Sequence, residues 1–314
     1  GTGLVGTRLV GDRLVGDLGG THLRLGLHAD GRLRRTAVHR WASSPSLLET
    51  VQGFLGDDNP VAGCFAVAAP VEGSRVTLTN AKVSFCADEL RTALGLDCLH
   101  LVNDVAALAR SVTELQHDDA VELGGGPLRL DRPVVVVAPG TGLGVAALLP
   151  TQHGPVVVDG EGGHIPLPAT VLGLPVAQAM LRLQEHVSAE DLLCGGSLTV
   201  LDVVVRALHG ELRPTPRTAA DVTSSCDADV LEVFVELLAA VVQSHALTVG
   251  ARGGVVLGGG FVRELVPILR EFGFRERFAR HGKMADYLTA IPVVVDTRDH
   301  PALVGAASFL EDLA

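Results

Sequence analysis

Twice in this chain a short apolar strand runs into a glycine turn and leaves it as a second apolar strand. The first copy reads LVGD, then Leu18, Gly19, Gly20 and Thr21, then HLRLGLH; the second reads PVVVVAP, then Gly140, Thr141 and Gly142, then LGVAALLP. An Asp30-Gly31 pair between alternating runs follows the first copy, so residues 14–39 read as a three-stranded antiparallel meander. Two halves that open with the same grammar imply a duplicated α/β architecture. A length of 314 residues suits two domains. With 47% hydrophobic but only 4% aromatic residues, their cores must be built from Val, Leu and Ala.

Charge and cysteine usage narrow the partners. A net charge of −11 opposes phosphate backbones and anionic lipid, so no nucleic-acid or membrane contact is expected. The five cysteines, Cys64, Cys86, Cys98, Cys194 and Cys226, are odd in number and form no CxxC pair. They fit neither a disulfide framework nor a zinc ribbon, and point to a reducing compartment. No apolar run approaches the ~20 residues of a membrane span, and no basic-then-apolar leader opens the chain. The expectation is a soluble, cytoplasmic protein.

Along the first half, Ser44-Pro45 or Ser46, with Glu49 behind it, caps a helix through Leu55. Strands at 61–69 and up to Thr79-Asn80 follow, then a helix near 87–94 and a strand near 99–102. That last strand runs into Asn103 and Asp104 at its carboxyl end, where α/β sheets place ligands. The second half adds a strand at 155–158, a long helical segment at 230–249 ended by Gly250, a strand at 255–257, a last strand at 291–296 and a helix from Ala302. The LVGTR and LVGDR echo within residues 1–13 reads as an amino-terminal extension.

No Walker A loop is present, and the GxGxxG string at residues 1–6 has no strand before it, so a nucleotide would need other machinery. Asp17, Gly19, Gly20 and Thr21 could supply it: glycines let backbone N–H groups approach an anion, and an acid at a strand end can hold a hydrated divalent cation. Taken alone, that turn reads as an ordinary hairpin turn with an Asx cap. The second turn, with Gly144 behind it, shifts the balance toward a pair of phosphate turns. Gly258, Gly259 and Gly260, between a buried strand and a helix, would let an adenine or phosphate approach a helix start, or simply make a tight connection.

For the reacting centre, Asn103 can orient a hydroxyl beside the Asp104 carboxylate, which can take its proton; the plainer reading is a helix cap. Glu161 and His164 lie three apart among glycines, which disfavours a helical metal pair and suits hydrogen bonding to a polyhydroxylated ligand. Glu190 sits in the first turn of a helix capped by Ser188, a place where acids also occur for structural reasons. His28, His39 and His209 read as solvated, and Trp41 as a packing residue.

These segments resemble the bacterial glucokinases of the hexokinase, Hsp70 and actin superfamily from about Leu14 onward. LVGDLGGTHLRL resembles that family's first phosphate motif, APGTGLGVA its second and VVLGGGFV its adenosine motif. LTN ending at Asn80, VNDVAALA, DGEGGH and VSAEDLL resemble its sugar-binding segments. The resemblance implies a two-lobed actin-like ATPase (ribonuclease H-like) α/β fold with ATP and glucose in an interlobe cleft. It divides the chain into residues 14–111 with 298–314 as a small domain and 112–297 as a large one. It also implies Asp104 as catalytic base, and Asn80, Asn103, Asp104, Glu161, His164 and Glu190 as sugar ligands. Asp17, Gly19, Gly20, Thr21, Gly140, Thr141, Gly142, Gly258, Gly259 and Gly260 would bind the nucleotide. Mg²⁺ would be held by ATP and by Asp17, directly or through water, in a homodimer. The activity implied is phosphorylation of glucose at the 6-hydroxyl; a kinase for mannose or an amino sugar, or a sugar or nucleotide sensor without turnover, is the alternative. Three positions depart from the family pattern: His22 replaces the usual Asn, Cys194-Gly195-Gly196 a commoner Gly-Pro, and Asp299 an Asn before His300.

Overall fold

In the computed structural model, which describes residues 11–312 apart from 45, 70, 72, 79, 80 and 226, the meander forms as its alternation dictates. It comprises β1 (Arg13–Leu18), β2 (His22–Ala29) and β3 (Arg32–Arg40), paired antiparallel. Asp30 and Gly31, at φ 52° and 75°, close the β2–β3 turn in the left-handed geometry that matches strand twist. Helix α1 (Leu47–Leu55) resolves the two capping options in favour of Ser46, whose hydroxyl accepts from the Glu49 N–H at 3.1 Å. The chain then returns as β4 (Ala62–Val67), parallel to β1 and buried at every position. A separate hairpin of β5 (Arg75–Leu78) and β6 (Val83–Cys86) follows, with β6 absent from the sequence reading. Helix α2 (Ala87–Leu94) leads into β7 (Cys98–Asn103), parallel to β4, and α3 (Asp104–Ser111) leaves it. The sheet order is β3-β2-β1-β4-β7.

The second sheet repeats this order. An edge strand, β8 (Ala120–Gly124), precedes β9 (Val134–Pro139), β10 (Leu143–Thr151) and β11 (Gly154–Gly160), the last three paired antiparallel. Five helices follow: α4 (Pro175–Leu183), α5 (Ala189–Leu193), α6 (Ser197–Leu208), α7 (Ala219–Ser224) and α8 (Ala228–Val249). Then comes β12 (Gly254–Leu257), parallel to β9. Short helices α9 (Gly260–Glu264), α10 (Val266–Glu271), α11 (Phe274–Ala279) and α12 (Ala285–Thr289) lead to β13 (Val293–Asp296), parallel to β12. The order is β11-β10-β9-β12-β13, extended by β8 antiparallel to β13. The chain ends in α13 (Pro301–Asp312).

Contacts divide the chain into two units, one running to Glu114 and resuming at His300, the other spanning Leu115–Asp299. In the first, α13 packs on α3 and on the sheet, burying Leu303, Ala306 and Leu310 against Val15 and Cys64. That helix also explains a correction: His28, read as solvated, is 5% exposed, because β2 lies beneath α13. In the second unit Phe234, Leu238, Val241 and Val242 of α8 are fully buried. α8 is long and apolar enough by length and composition to cross a membrane, contrary to the sequence reading; 67% of its apolar window is buried inside the protein, as befits a core helix.

Candidate active site

Parallel pairing with no slip sets Leu18, Val67 and Asn103 side by side, so β1, β4 and β7 end at one level. At the ~4.8 Å spacing of strands, the ends of β1 and β7 lie about 10 Å apart. The turn after β1 is held by its own backbone and by one aromatic residue. The Gly19 N–H donates to the His22 carbonyl at 3.0 Å, the Trp41 indole N–H donates to the Gly19 carbonyl at 2.8 Å, and the Trp41 backbone N–H to that of Thr21 at 3.3 Å. Trp41, read as a packing residue, does pack on the core of this unit, and its N–H groups also shape the turn that carries Gly19, Gly20 and Thr21.

Asp17 accepts a hydrogen bond from Arg24 at 2.9 Å. Burial pushes its carboxyl above the ordinary range, while the Arg24 and His300 charges pull against that rise. Arg24 was missed in the sequence although a signal existed: once Leu18 faces Leu23 across the hairpin, Asp17 must face Arg24, an opposite-charge cross-strand pair. At the end of β7, Asn103 caps α3, its Oδ1 accepting from the Val105 and Ala106 N–H groups at 3.0 and 3.3 Å. The plainer reading thus holds for Asn103, while Asp104, whose Oδ1 accepts from the Val105 N–H at 2.8 Å, begins the helix proper. Asn80 lies outside the described residues.

The second unit draws four predicted segments together around the β9–β10 turn. Gly140 and Leu143 flank the second glycine turn, closed by a Gly140 N–H to Gly142 carbonyl bond of 2.7 Å. The 258–260 turn lies beside it: the Gly258 N–H donates to the Val137 carbonyl at 3.0 Å, and a Cβ on Gly259, at φ 93°, would lie 3.3 Å from the Pro139 carbonyl oxygen. Gly260 already belongs to α9.

Glu190 reaches the same turn, its Oε2 accepting from the Leu143 N–H at 2.7 Å. The start of α5 has no need of that carboxylate. Asp191 completes the capping box, its Oδ2 accepting from the Ser188 N–H at 2.8 Å while the Ser188 hydroxyl accepts from the Asp191 N–H at 3.4 Å. Glu161 and His164 bracket a single 3₁₀ turn, Gly162–His164, packed so tightly that a Cβ on Gly163 would collide with the Leu143 carbonyl oxygen. Their side chains approach to 3.8 Å and remain 66% and 58% exposed, open to a ligand. The strand-like bridge of Pro166 with Ser188, and the Ala189 N–H to Ile165 carbonyl bond of 3.0 Å, tie this loop to Glu190. His245 of α8 lies against Gly162, and its burial holds the imidazole below its usual range.

Asp17, Gly19, Gly20, Thr21, Asn103 and Asp104 therefore belong to the first unit, and Gly140, Thr141, Gly142, Glu161, His164, Glu190 and the three glycines at 258–260 to the second. In the second unit, backbone N–H groups, the exposed Glu161 carboxylate, the half-buried Glu190 carboxylate and the His164 imidazole are groups suited to phosphate and hydroxyl recognition. Among the described residues no three His, Cys, Asp or Glu side chains gather as a self-sufficient metal site. Asp17, paired with Arg24, is a single carboxylate beside the first glycine turn, and Mg²⁺ commonly takes one protein carboxylate, keeping its waters and further oxygens from phosphates.

The family model described as Glucokinase matches residues 14–313. A glucokinase of Aromatoleum aromaticum is 39% identical over 312 residues, covering 94% of this chain and 93% of its own length. One of Paramagnetospirillum magneticum is 37% identical over 309 residues, with coverages of 94% and 96%. Among solved structures, a glucokinase from an Antarctic psychrotroph superposes with a TM-score of 0.83 at 30% identity, covering 96% of this chain and 99% of that one. The repeated sheet order is that of the actin-like ATPase fold.

Proposed function

The chain belongs to the glucokinase family, and from that premise we propose that it transfers the γ-phosphoryl group of ATP to the 6-hydroxyl of glucose, giving glucose 6-phosphate and ADP. It is a sugar kinase, a phosphotransferase with an alcohol acceptor. The observation that carries the reading is the gathering of the 140–142 turn, the 258–260 turn, Glu190 and the Glu161–His164 loop about the β9–β10 turn, in a chain matched to the family over residues 14–313.

Transfer of this kind depends mainly on positioning and charge neutralisation. Asp104 takes the proton of the 6-hydroxyl as its oxygen attacks phosphorus and the bond to ADP breaks. Its place at the carboxyl end of β7, in the first turn of α3, supports that role. Asn103, fixed by capping α3, presents its amide beside it, and Glu161, His164 and Glu190 take the remaining sugar hydroxyls. Asn80 is proposed as a further sugar ligand on the family resemblance alone. Gly19, Gly20, Thr21, Gly140, Thr141 and Gly142 offer backbone and hydroxyl donors to the phosphates, and the 258–260 turn accepts the adenosine. Asp17 with the phosphates would hold Mg²⁺, which when bound offsets the charge of the polyphosphate. The described cysteines, Cys64, Cys86, Cys98 and Cys194, are free thiols, which supports a cytoplasmic setting; a homodimer is proposed on the family resemblance.

Purified protein should release ADP from ATP on addition of glucose, and a sugar panel should rank glucose above mannose and amino sugars in kcat/KM. Asp104→Asn should bind glucose normally and lose about 10²–10⁴ in kcat, the usual worth of a general base. Wild-type turnover by that variant would remove Asp104 from the role.

A further inference from the structure

Two backbone-level clips hold the second glycine turn, and both come from the α5 segment. The Gly195 N–H donates to the Gly140 carbonyl at 2.6 Å, and Glu190 Oε2 accepts from the Leu143 N–H at 2.7 Å. One clip lies at each end of the turn, and only the second uses a side chain. The approach is close: a Cβ on Gly142 would stand 2.5 Å from that same Glu190 oxygen, so the carboxylate would have to move. Because Asp191 already satisfies the start of α5, Glu190 has no capping work, and its carboxylate is spent on the turn.

We propose that Glu190 is a positioning residue for the nucleotide: one carboxylate oxygen fixes the 140–142 turn through Leu143, while the other remains for the sugar. This rests on the kinase reading above, which makes the turn a phosphate site and Glu190 a sugar ligand. It adds that the two sites share a side chain, so that what disturbs one end of Glu190 is felt at the other. By thermodynamic reciprocity the link runs both ways.

Calorimetric titration of the full-length protein with MgADP in the absence of sugar, and with glucose in the absence of nucleotide, tests this. Electrostatics alone gives the opposite sign to positioning, because removing a carboxylate beside a phosphate site relieves repulsion. A Glu190 that serves only the sugar therefore leaves MgADP affinity unchanged or tighter in Glu190→Ala. Positioning predicts that Glu190→Ala weakens MgADP about ten- to a hundredfold, on the order of one hydrogen bond to a charged group. Glu190→Gln keeps an acceptor for the Leu143 N–H and should restore MgADP affinity to the wild-type value or better while still losing glucose affinity. Glu161→Ala, lacking any bond to the turn, should lose glucose affinity alone. From the other side, Gly142→Ala displaces the Glu190 carboxylate and should weaken glucose several-fold without nucleotide present. Unchanged MgADP affinity in Glu190→Ala, or unchanged glucose affinity in Gly142→Ala, would overturn the inference. Melting curves of each variant separate these losses from a failure to fold. If the unmodified protein binds no glucose, the kinase reading itself fails and takes the inference with it; if it binds both ligands and Glu190→Ala retains MgADP, only the inference fails.

Discussion

At the scale of single residues, the described site depends on partners that stand far from it in sequence. Trp41 reaches back 22 positions to place its indole N–H on the Gly19 carbonyl, so the first glycine turn is shaped by a residue beyond β3. Trp41→Phe keeps most of the apolar contact and deletes that hydrogen bond, worth about 1 kcal/mol. The expected outcome is a rise of roughly fivefold in the KM for ATP with the glucose dissociation constant unchanged, read from coupled kinetics and a sugar titration. No periodicity announces such a contact, because it depends on where the end of β3 comes to rest. The same is true of Glu190 and Leu143, which are 47 positions apart. The positions of the glycine turns and of the Asn103-Asp104 pair at strand ends were legible because residue type and local spacing mark such junctions. The Asp17–Arg24 pair was legible in principle, since a hairpin register converts sequence distance into contact.

At the scale of elements, alternation and turn chemistry revealed the two meanders, and burial explains what they concealed. β8 is five residues of mixed exposure at a sheet edge, and β6 is four, too short for a period of two to stand out. His28 sits on a strand that looks half-solvated by pattern, yet a helix contributed 270 residues later covers it. The α3–α13 crossing that provides this cover depends on Gly305, where a Cβ would collide with the Ala107 carbonyl oxygen. Backbone cannot swing aside as a side chain can. Gly305→Ala should therefore force the helices apart and cost about 1–3 kcal/mol, as overpacking does. Gly53→Ala, in α1 with nothing within 4 Å of the added carbon, should instead stabilise by up to about 1 kcal/mol through helix propensity. Urea denaturation of the two variants should give opposite shifts in midpoint, and equal shifts would remove the crossing as the cause.

At the scale of the whole molecule, protons couple to stability through histidines in both units. His28 and His100 in the first and His245 in the second are all held below the ordinary value of 6.5, chiefly by burial, which disfavours the charged ring. In the unfolded chain the same rings titrate near 6.5. Between that value and their lower native values the unfolded state binds more protons, so stability rises with pH there and falls as pH drops below about 6.5. Each histidine contributes a slope of at most about 1.4 kcal/mol per pH unit within its window. The depressed carboxyls of Asp202 and Glu236, which Arg206, Arg217, Arg277 and Arg280 keep ionised against the cost of burial, lose their contribution only at lower pH, as acidification carries them through their native values. Melting temperature should therefore decline from pH 7.5 to 5.5 before the carboxylates take part. His28→Gln removes one ring from the balance, and its melting curve should fall less steeply than the wild type over that interval. The difference between the two curves isolates His28 from Asp17, whose raised carboxyl works in the opposite sense. Parallel curves would show that His28 takes up its proton as readily folded as unfolded, and would remove burial beneath α13 as a source of acid sensitivity.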